Sequence, residues 1–258
     1  MRCYNYRVGR EEIIYGKHAI EQALRAGRVK RIWALDNDPK KIRAAILSKA
    51  EEAGVRIDLV PRRYLDDRMG RANHQGIIAK ILPFDYTDVE NMLGGNERPL
   101  LILDKLKDPG NFGKIISTAA AFGAGGIIIP KDQAVGVTPT VEKAASGMIA
   151  HVPIARVANL AMVFDKLKGA GYWIYGTDPG TGESIETYDL SGKIAIALGA
   201  EAKGLSRLLY KKCDGHLRIP MAPGVESLNV ASVAAICLYE IAKQNSWGYE
   251  NNAGDDVE

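Results

Sequence analysis

The sequence predicts an α/β protein in two parts: a compact α/β unit over residues 1–82, a linker over 83–98, and a second unit over 99–258 built on a mostly parallel sheet. Three observations lead there. Short apolar, strand-like runs alternate with helix-like stretches along nearly the whole chain, as in sheets covered on both faces. The stretch PFDYTDVENMLGGNER (83–98) combines a proline, a Gly-Gly pair and many polar residues, as a connection does. Charge divides at the same place: residues 1–82 hold 18 Lys+Arg against 10 Asp+Glu, whereas 83–258 hold 16 against 21.

Taken in order, residues 18–27 read as a helix, Arg31–Leu35 as a short apolar strand, and Pro39–Ala53 as a helix stopped by Gly54. Val55–Val60 alternates in strand fashion and Gly76–Ile81 is a further strand. At about 80 residues this unit lies near the lower end for an independent domain. After the linker, which has room for one helical turn, strands are expected at Leu100–Leu103, Gly126–Ile129, Tyr172–Tyr175, Ile194–Leu198 and Leu217–Ile219. Helices are expected near 112–122, 138–147, 159–169 and 228–244. The tail NNAGDDVE is polar and acidic, and no internal repeat is present.

Composition narrows the function classes. With 47% apolar and 25% charged residues, the 258-residue chain has the make-up of a soluble globular protein. No apolar run approaches the roughly 18–20 residues that span a bilayer, and MRCYNYRVGREEIIYG has no apolar stretch of signal-peptide length. Three widely spaced cysteines (Cys3, Cys213, Cys237) argue against a zinc site or a disulfide framework, so a cytoplasmic location is expected. None of the four histidines (His18, His74, His151, His216) has a metal-binding spacing. The basic first part suits a polyanion, and Arg62, Arg63, Arg68 and Arg71 gather just before the NHQG segment that contains His74. Charge alone leaves a merely solvated face equally open.

A parallel α/β domain invites a search for phosphate loops. No GxGxxG joins a strand to a helix, so a dinucleotide fold has no fingerprint here, and in GAEAKGLS (199–206) Leu205 stands where a P-loop needs lysine, which argues against nucleoside triphosphate binding. Three other segments stand out. In LDKLKDPGNFGKIISTAAAFG (103–123), Asp108-Pro109-Gly110 turns the chain after a strand and Asn111 is placed to cap the next helix. Its apolar stripe leaves Asn111, Lys114, Ser117 and Thr118 on the other face, at the strand edge where open sheets bind ligands. In IALGAEAKGLS (196–206) a wholly apolar strand, ending in Leu198, runs into Gly199, Glu201 and Gly204, whose small residues admit a ligand to bare backbone. In RIPMAPGVESLNVASVAAICLYEIA (218–242) two proline turns lead into a helix that is apolar nearly all round, with Ser227 and Asn229 at its polar mouth. Capping accounts readily for one of that pair.

Together and in this order, DPGNFGKIISTAAAFGA, ALGAEAKGLSRLL and IPMAPGVESLNVASVAAICLYE resemble the three motifs of SpoU/TrmH-like RNA ribose methyltransferases of the SPOUT superfamily. YGKHAIEQAL (15–24) and NHQGIIA (73–79) are similar to the substrate-binding domain of the branch that methylates rRNA guanosine. The resemblance implies an α/β-knot catalytic domain with a deep trefoil knot, preceded by a small SpoU substrate-binding domain. It implies S-adenosylmethionine as donor and no metal, structured RNA (large-subunit rRNA) as substrate, and a homodimer through the knot region. Carried over by position, it puts the donor beside Thr177, Leu198, Gly199, Gly204, Ile219, Met221 and Leu228. Asn111, Ser117, Glu201, Ser227 and Asn229 fall where donor and ribose meet, and Arg62, Arg63, Arg68, Arg71, His74 and Lys114 are the expected RNA contacts. A larger side chain at Gly199 is expected to block the donor while leaving the fold largely intact.

One position departs from the pattern. Six residues after the asparagine, where the family carries arginine, this chain has Ser117, which lacks both the charge and the fork of donors. Lys114, one turn earlier, is a partial substitute. The alternative readings are therefore an RNA- and donor-binding relative with weak or no catalysis, and a tRNA ribose methyltransferase. The additional basic domain argues against the minimal tRNA type.

Overall fold

The computed structural model describes residues 6–8, 11–36, 44–70, 74–93, 97–200, 204–225 and 227–245. Its contacts divide the chain into two units, Met1–Asp85 with Val137–Lys143, and Tyr86–Gly136 with Ala144–Glu258.

The first unit contains β1 (Tyr6–Val8), β2 (Glu11–Tyr15), α1 (Lys17–Arg25), β3 (Val29–Leu35), α2 (Ala44–Glu52), β4 (Arg56–Val60), α3 (Arg62–Met69) and β5 (Ile77–Ile81). The strands form one sheet in the order β1-β2-β5-β3-β4, antiparallel except for the β3–β4 pair. The two-residue period of β3 sorts its side chains to opposite faces. Ile32 and Ala34 pack with Ile20, Ala23, Ile46 and Ala50 of α1 and α2, while Trp33 packs with Leu65 and Met69 of α3. Sequence reading missed α3 because RRYLDDRM offers only Leu65 and Met69, a single i,i+4 pair, as an apolar stripe. It also missed β1 and β2. Of the helix expected over Pro39–Ala53, residues 39–43 lie outside the described residues.

The second unit comprises α4 (Glu90–Leu93), β6 (Leu100–Leu103), α5 (Pro109–Ala121), β7 (Gly126–Pro130), α6 (Pro139–Ala144), β8 (Ile154–Val157), α7 (Leu160–Gly169), β9 (Trp173–Thr177), β10 (Glu183–Ser184), β11 (Ile194–Leu198), α8 (Arg207–Lys212), β12 (Gly215–Arg218) and α9 (Val230–Gln244). Most of α6 groups with the first unit instead, where Arg28 forms an ion pair with the buried Glu142. The sheet order is β10-β12-β9-β11-β6-β7-β8 and every pairing is parallel. Its central strands β6 and β11, LLIL and IAIAL, are buried at every residue, as strands covered on both faces must be. β8 escaped the sequence reading, since IARV is a four-residue run directly after a proline.

This order positions the site. From β6 the chain winds outward through β7 to β8, then returns to lay down β9, β11 and β12 on the other side. Winding therefore reverses between β6 and β11, and the loops leaving their carboxyl ends part in opposite directions. In open parallel sheets that parting makes the ligand crevice. Among the described residues no helix is long and apolar enough to cross a membrane.

Candidate functional site

Two helix starts meet at the carboxyl edge of the sheet. The cap of α5 is Asp108, not Asn111: its Oδ1 accepts from the Asn111 amide at 2.6 Å, and Pro109 fills the position that needs no N–H. Capping one step earlier leaves the Asn111 side chain for other work, and it is 8% exposed. Asn229 caps α9, its Oδ1 accepting from the Ala231 amide at 2.9 Å, while its Nδ2 donates to Asn111 Oδ1 at 3.1 Å. One side chain thus both caps a helix and bridges two of the three motifs across 118 positions of sequence. Ser227 stands exposed ahead of the helix, which begins at Val230. α9 buries one face (Val230, Ala234, Leu238 and Ile241 among it) and leaves Ser232, Tyr239 and Lys243 exposed in the single chain.

Beside this pair lies a cavity of about 230 Å³ at the carboxyl ends of β9, β11 and β12. Of the donor residues expected from sequence, Thr177, Gly199, Gly204, Ile219, Met221 and Leu228 line it, together with Ser227. Leu198 is not among them: it is a core residue of β11 whose carbonyl accepts from the Asp104 amide at 2.8 Å. Glu201 lies outside the described residues. The glycine loop closes on itself. Gly204 N–H donates to Ala200 C=O at 2.9 Å, and Gly204 takes φ 60°, a left-handed conformation that suits glycine. A side chain on Gly199 would stand 2.0 Å from the Gly204 carbonyl carbon, so the loop's own backbone requires glycine there.

Sequence reading missed Asp178, which lines the same cavity. Burial works to raise its pKa, but the Thr181 hydroxyl, the Gly180 amide and the Tyr210 hydroxyl all donate to it and hold it down at about 2. It is therefore a fixed anion. The signal was legible: Asp-Pro-Gly directly after a strand makes an Asx-type turn at a sheet's ligand edge. A second carboxylate, the buried Asp104, accepts from the Ser206 amide at 2.8 Å and ties the loop after β6 to the loop after β11. On α5, Ser117 is half-buried and Lys114 exposed. Among the described residues no cluster of His, Cys, Asp and Glu is placed to hold a metal ion.

In the first unit, Arg62 and Arg63 are exposed on α3, each beside the carboxylate one turn on, Asp66 and Asp67. Arg68 lies over the rings of Trp33 and Tyr64, at 4.6 and 5.1 Å. Arg71 lies outside the described residues. His74 is a correction to the expected RNA contacts, because it is 3% exposed and both ring nitrogens are engaged. Nδ1 accepts from the Gly76 amide at 3.0 Å, which leaves the proton on Nε2 to bond Asp66 Oδ1 at 2.8 Å. That bond lowers the Asp66 pKa and anchors α3 to the strand that follows.

The SpoU rRNA Methylase family matches residues 98–239, and the family described as RNA 2′-O ribose methyltransferase substrate binding matches residues 13–87. YacO of Bacillus subtilis (strain 168), named as a TrmH family tRNA/rRNA methyltransferase, is 38% identical over 241 residues, spanning 91% of this chain and 96% of its own. A protein of the same description from Staphylococcus aureus (strain COL) is 37% identical over 240 residues, spanning 91% and 96%. Among solved structures, the SpoU methyltransferase AviRb of Streptomyces viridochromogenes in complex with AdoMet superposes with a TM-score of 0.70 at 25% identity, covering 91% of this chain and 90% of its own. An AdoMet-bound rRNA methyltransferase of Sinorhizobium meliloti gives 0.68 at 25% identity, covering 91% and 87%.

Proposed function

The chain belongs to the SpoU rRNA methylase family, and we propose that it transfers a methyl group from S-adenosylmethionine to a ribose 2′-hydroxyl of RNA, with a guanosine of large-subunit rRNA as its target. One observation carries the reading: a cavity walled by glycine backbone and a fixed carboxylate lies against the start of α9, where Asn229 holds Asn111.

The residues present fit the donor. The bare backbone of Gly199 and Gly204 and the flanking Ile219, Met221 and Leu228 give a largely apolar slot of the kind that takes a purine. The Asp178 carboxylate, ionised at any working pH, complements a ligand that carries positive charge. Bound there, S-adenosylmethionine supplies an electrophilic methyl group. In-line displacement needs positioning and exclusion of water above all. The chain meets that need with helix starts: Asn111 and Asn229 are fixed by caps and by each other, and so present polar groups whose positions are set before RNA arrives. Ser227 extends this polar mouth. In the first unit, Arg62, Arg63, Arg68 and Arg71 contact RNA phosphates.

Ser117 supports a second reading, slow turnover, because the position that carries arginine in the family has no charge here. A tRNA target is the other alternative. The test is transfer of labelled methyl from S-adenosylmethionine to unmodified rRNA and tRNA transcripts, followed by mapping of 2′-O-methyl positions. A mark on rRNA supports the proposal, and a mark on tRNA alone replaces its substrate. Donor binding with no transfer to either supports the weakly catalytic reading. The proposal also carries the trefoil knot, a homodimer through the region of α9 and a cytoplasmic location; sedimentation equilibrium at several concentrations decides the dimer.

A further inference from the structure

We propose that Asp178 gives the donor slot a charge selectivity, so that the slot favours the cationic methyl donor over the product that transfer leaves behind. This role rests on the methyltransferase reading and names what one residue does at that same site.

Transfer breaks the bond between sulfur and methyl, and its electron pair stays on sulfur. The methyl joins the ribose oxygen, and the hydroxyl proton leaves to solvent. S-adenosylhomocysteine therefore differs from S-adenosylmethionine by one methyl group and one positive charge. Contacts to the parts that the two molecules share hold both alike. A slot that separates them by charge needs an ion of its own.

The slot has one. Asp178 is the only ionisable side chain among the described residues that line the cavity, whose walls are otherwise largely glycine backbone and aliphatic side chains. Among the described residues no ion pair includes it. Its partners are neutral. Oδ1 accepts from the Gly180 amide at 2.8 Å and the Thr181 amide at 3.3 Å. Oδ2 accepts from the Thr181 hydroxyl at 2.7 Å and the Tyr210 hydroxyl at 2.8 Å. Neutral donors hold a negative charge in place without cancelling it.

The same bonds decide how the residue acts. A carboxylate has about four acceptor positions, and here the chain's own groups take them. A carboxylate that grips ligand hydroxyls must keep such positions open. Asp178 presents its charge instead, and apolar walls screen a charge less than water does. Its backbone is fixed too, the Asp178 N–H donating to Leu217 C=O at 2.9 Å. Tyr210 is a positioning residue: it stands outside the cavity lining, stacked on His216 at 3.7 Å, and its carbonyl accepts from His216 Nε2 at 3.1 Å.

The test is calorimetry on the full chain as wild type, Asp178→Asn and Tyr210→Phe. The ligands are S-adenosylmethionine, S-adenosylhomocysteine and sinefungin, which carries a protonated amine where the donor has its sulfonium. Asparagine keeps the size and the Gly180 bond, and the two hydroxyls can turn to accept from its amide; a thermal melt reports folding. Asp178→Asn should weaken S-adenosylmethionine and sinefungin by about 5- to 30-fold, the effect of a unit charge within about 8 Å under partial solvent screening. S-adenosylhomocysteine should weaken by less than about twofold. Tyr210→Phe keeps the charge, so any loss should fall on all three ligands alike and leave their affinity ratios within about twofold of wild type. Equal losses of donor and product in Asp178→Asn overturn the proposal, and so does no loss of either. Sinefungin following the product overturns it as well, since the methyl group then makes the distinction, as does a collapsed ratio in Tyr210→Phe with the charge still present. Failure of the methyltransferase reading looks different. A wild type that binds none of the three ligands loses both readings, whereas one that binds but transfers no methyl to RNA leaves the ratios to decide the role of Asp178.

Discussion

Replacing Gly199 with alanine adds one methyl group at a place where the backbone leaves no room for it. The new carbon would stand 2.0 Å from the Gly204 carbonyl carbon, and 2.2 Å from both the Gly204 oxygen and the Leu205 nitrogen. Ordinary contact lies near 3.5–4.0 Å, so residues 204–205 must retreat by about 1.5 Å. That stretch is held from three sides. Gly204 N–H is bonded to Ala200, the Leu205 side chain is buried in the core, and the Ser206 amide donates to Asp104. Forced overpacking of this kind costs about 1–3 kcal/mol. At about 2–4 °C per kcal/mol for a chain of this size, the thermal midpoint should fall by several degrees. Gly204 also lines the cavity beside the start of α9. If the same strain weighs on the binding-competent loop, affinity for S-adenosylmethionine should weaken by about 5- to 150-fold. Calorimetry with S-adenosylmethionine and a thermal melt of the variant decide the matter. A variant with wild-type affinity and a wild-type midpoint would refute the close approach and the placement of the donor together. Sequence reading expects a side chain here to meet the donor; the geometry makes it meet its own chain first.

Asn229→Asp keeps the oxygen that caps α9 but loses the amide that donates to Asn111, so stability should hold while methyl transfer falls at least about tenfold; Asn229→Ala loses the cap as well, at about 1 kcal/mol in chemical denaturation. Ser117→Arg should raise single-turnover methyl transfer by about 30-fold or more, since one charge-assisted contact at a transition state is worth roughly 2–4 kcal/mol, with calorimetric donor affinity little changed. No gain in rate would show that arginine has no task left to fill. Asp178 has its pKa lowered in the folded chain, so its contribution to stability is complete above about pH 4 and is lost as pH falls toward 2. Acid melts of wild type and Asp178→Asn should therefore converge across that window, by an amount on the order of 1 kcal/mol once solvent screening is allowed for. Burial pushes the Cys213 and Cys237 thiols up to about 12, so neither should alkylate in the native chain at pH 8, and both should react after unfolding.

Much of this protein was legible in one dimension. Strands such as LLIL and IAIAL announce themselves because a strand buried on both faces has no polar position, and the strand–helix alternation around them implies a parallel sheet. The motif residues could be named because glycine, asparagine and proline at loop–helix junctions leave local signatures. Short or mostly charged elements stayed hidden: α3 shows two apolar residues, and β8 is a four-residue run. Tertiary structure decided what each polar side chain is free to do. Asn111 and Asn229, far apart in sequence, share one hydrogen bond, while His74 spends both ring nitrogens inside its own unit. Asp178 reaches its cavity only because β12, β9 and β11 lie side by side, which brings the loops at their carboxyl ends together. Periodicity reports which face of an element is buried, since burial follows from local pattern. Which partners a polar group finds depends on the order of strands in the sheet, and that order is settled by packing between residues about a hundred positions apart.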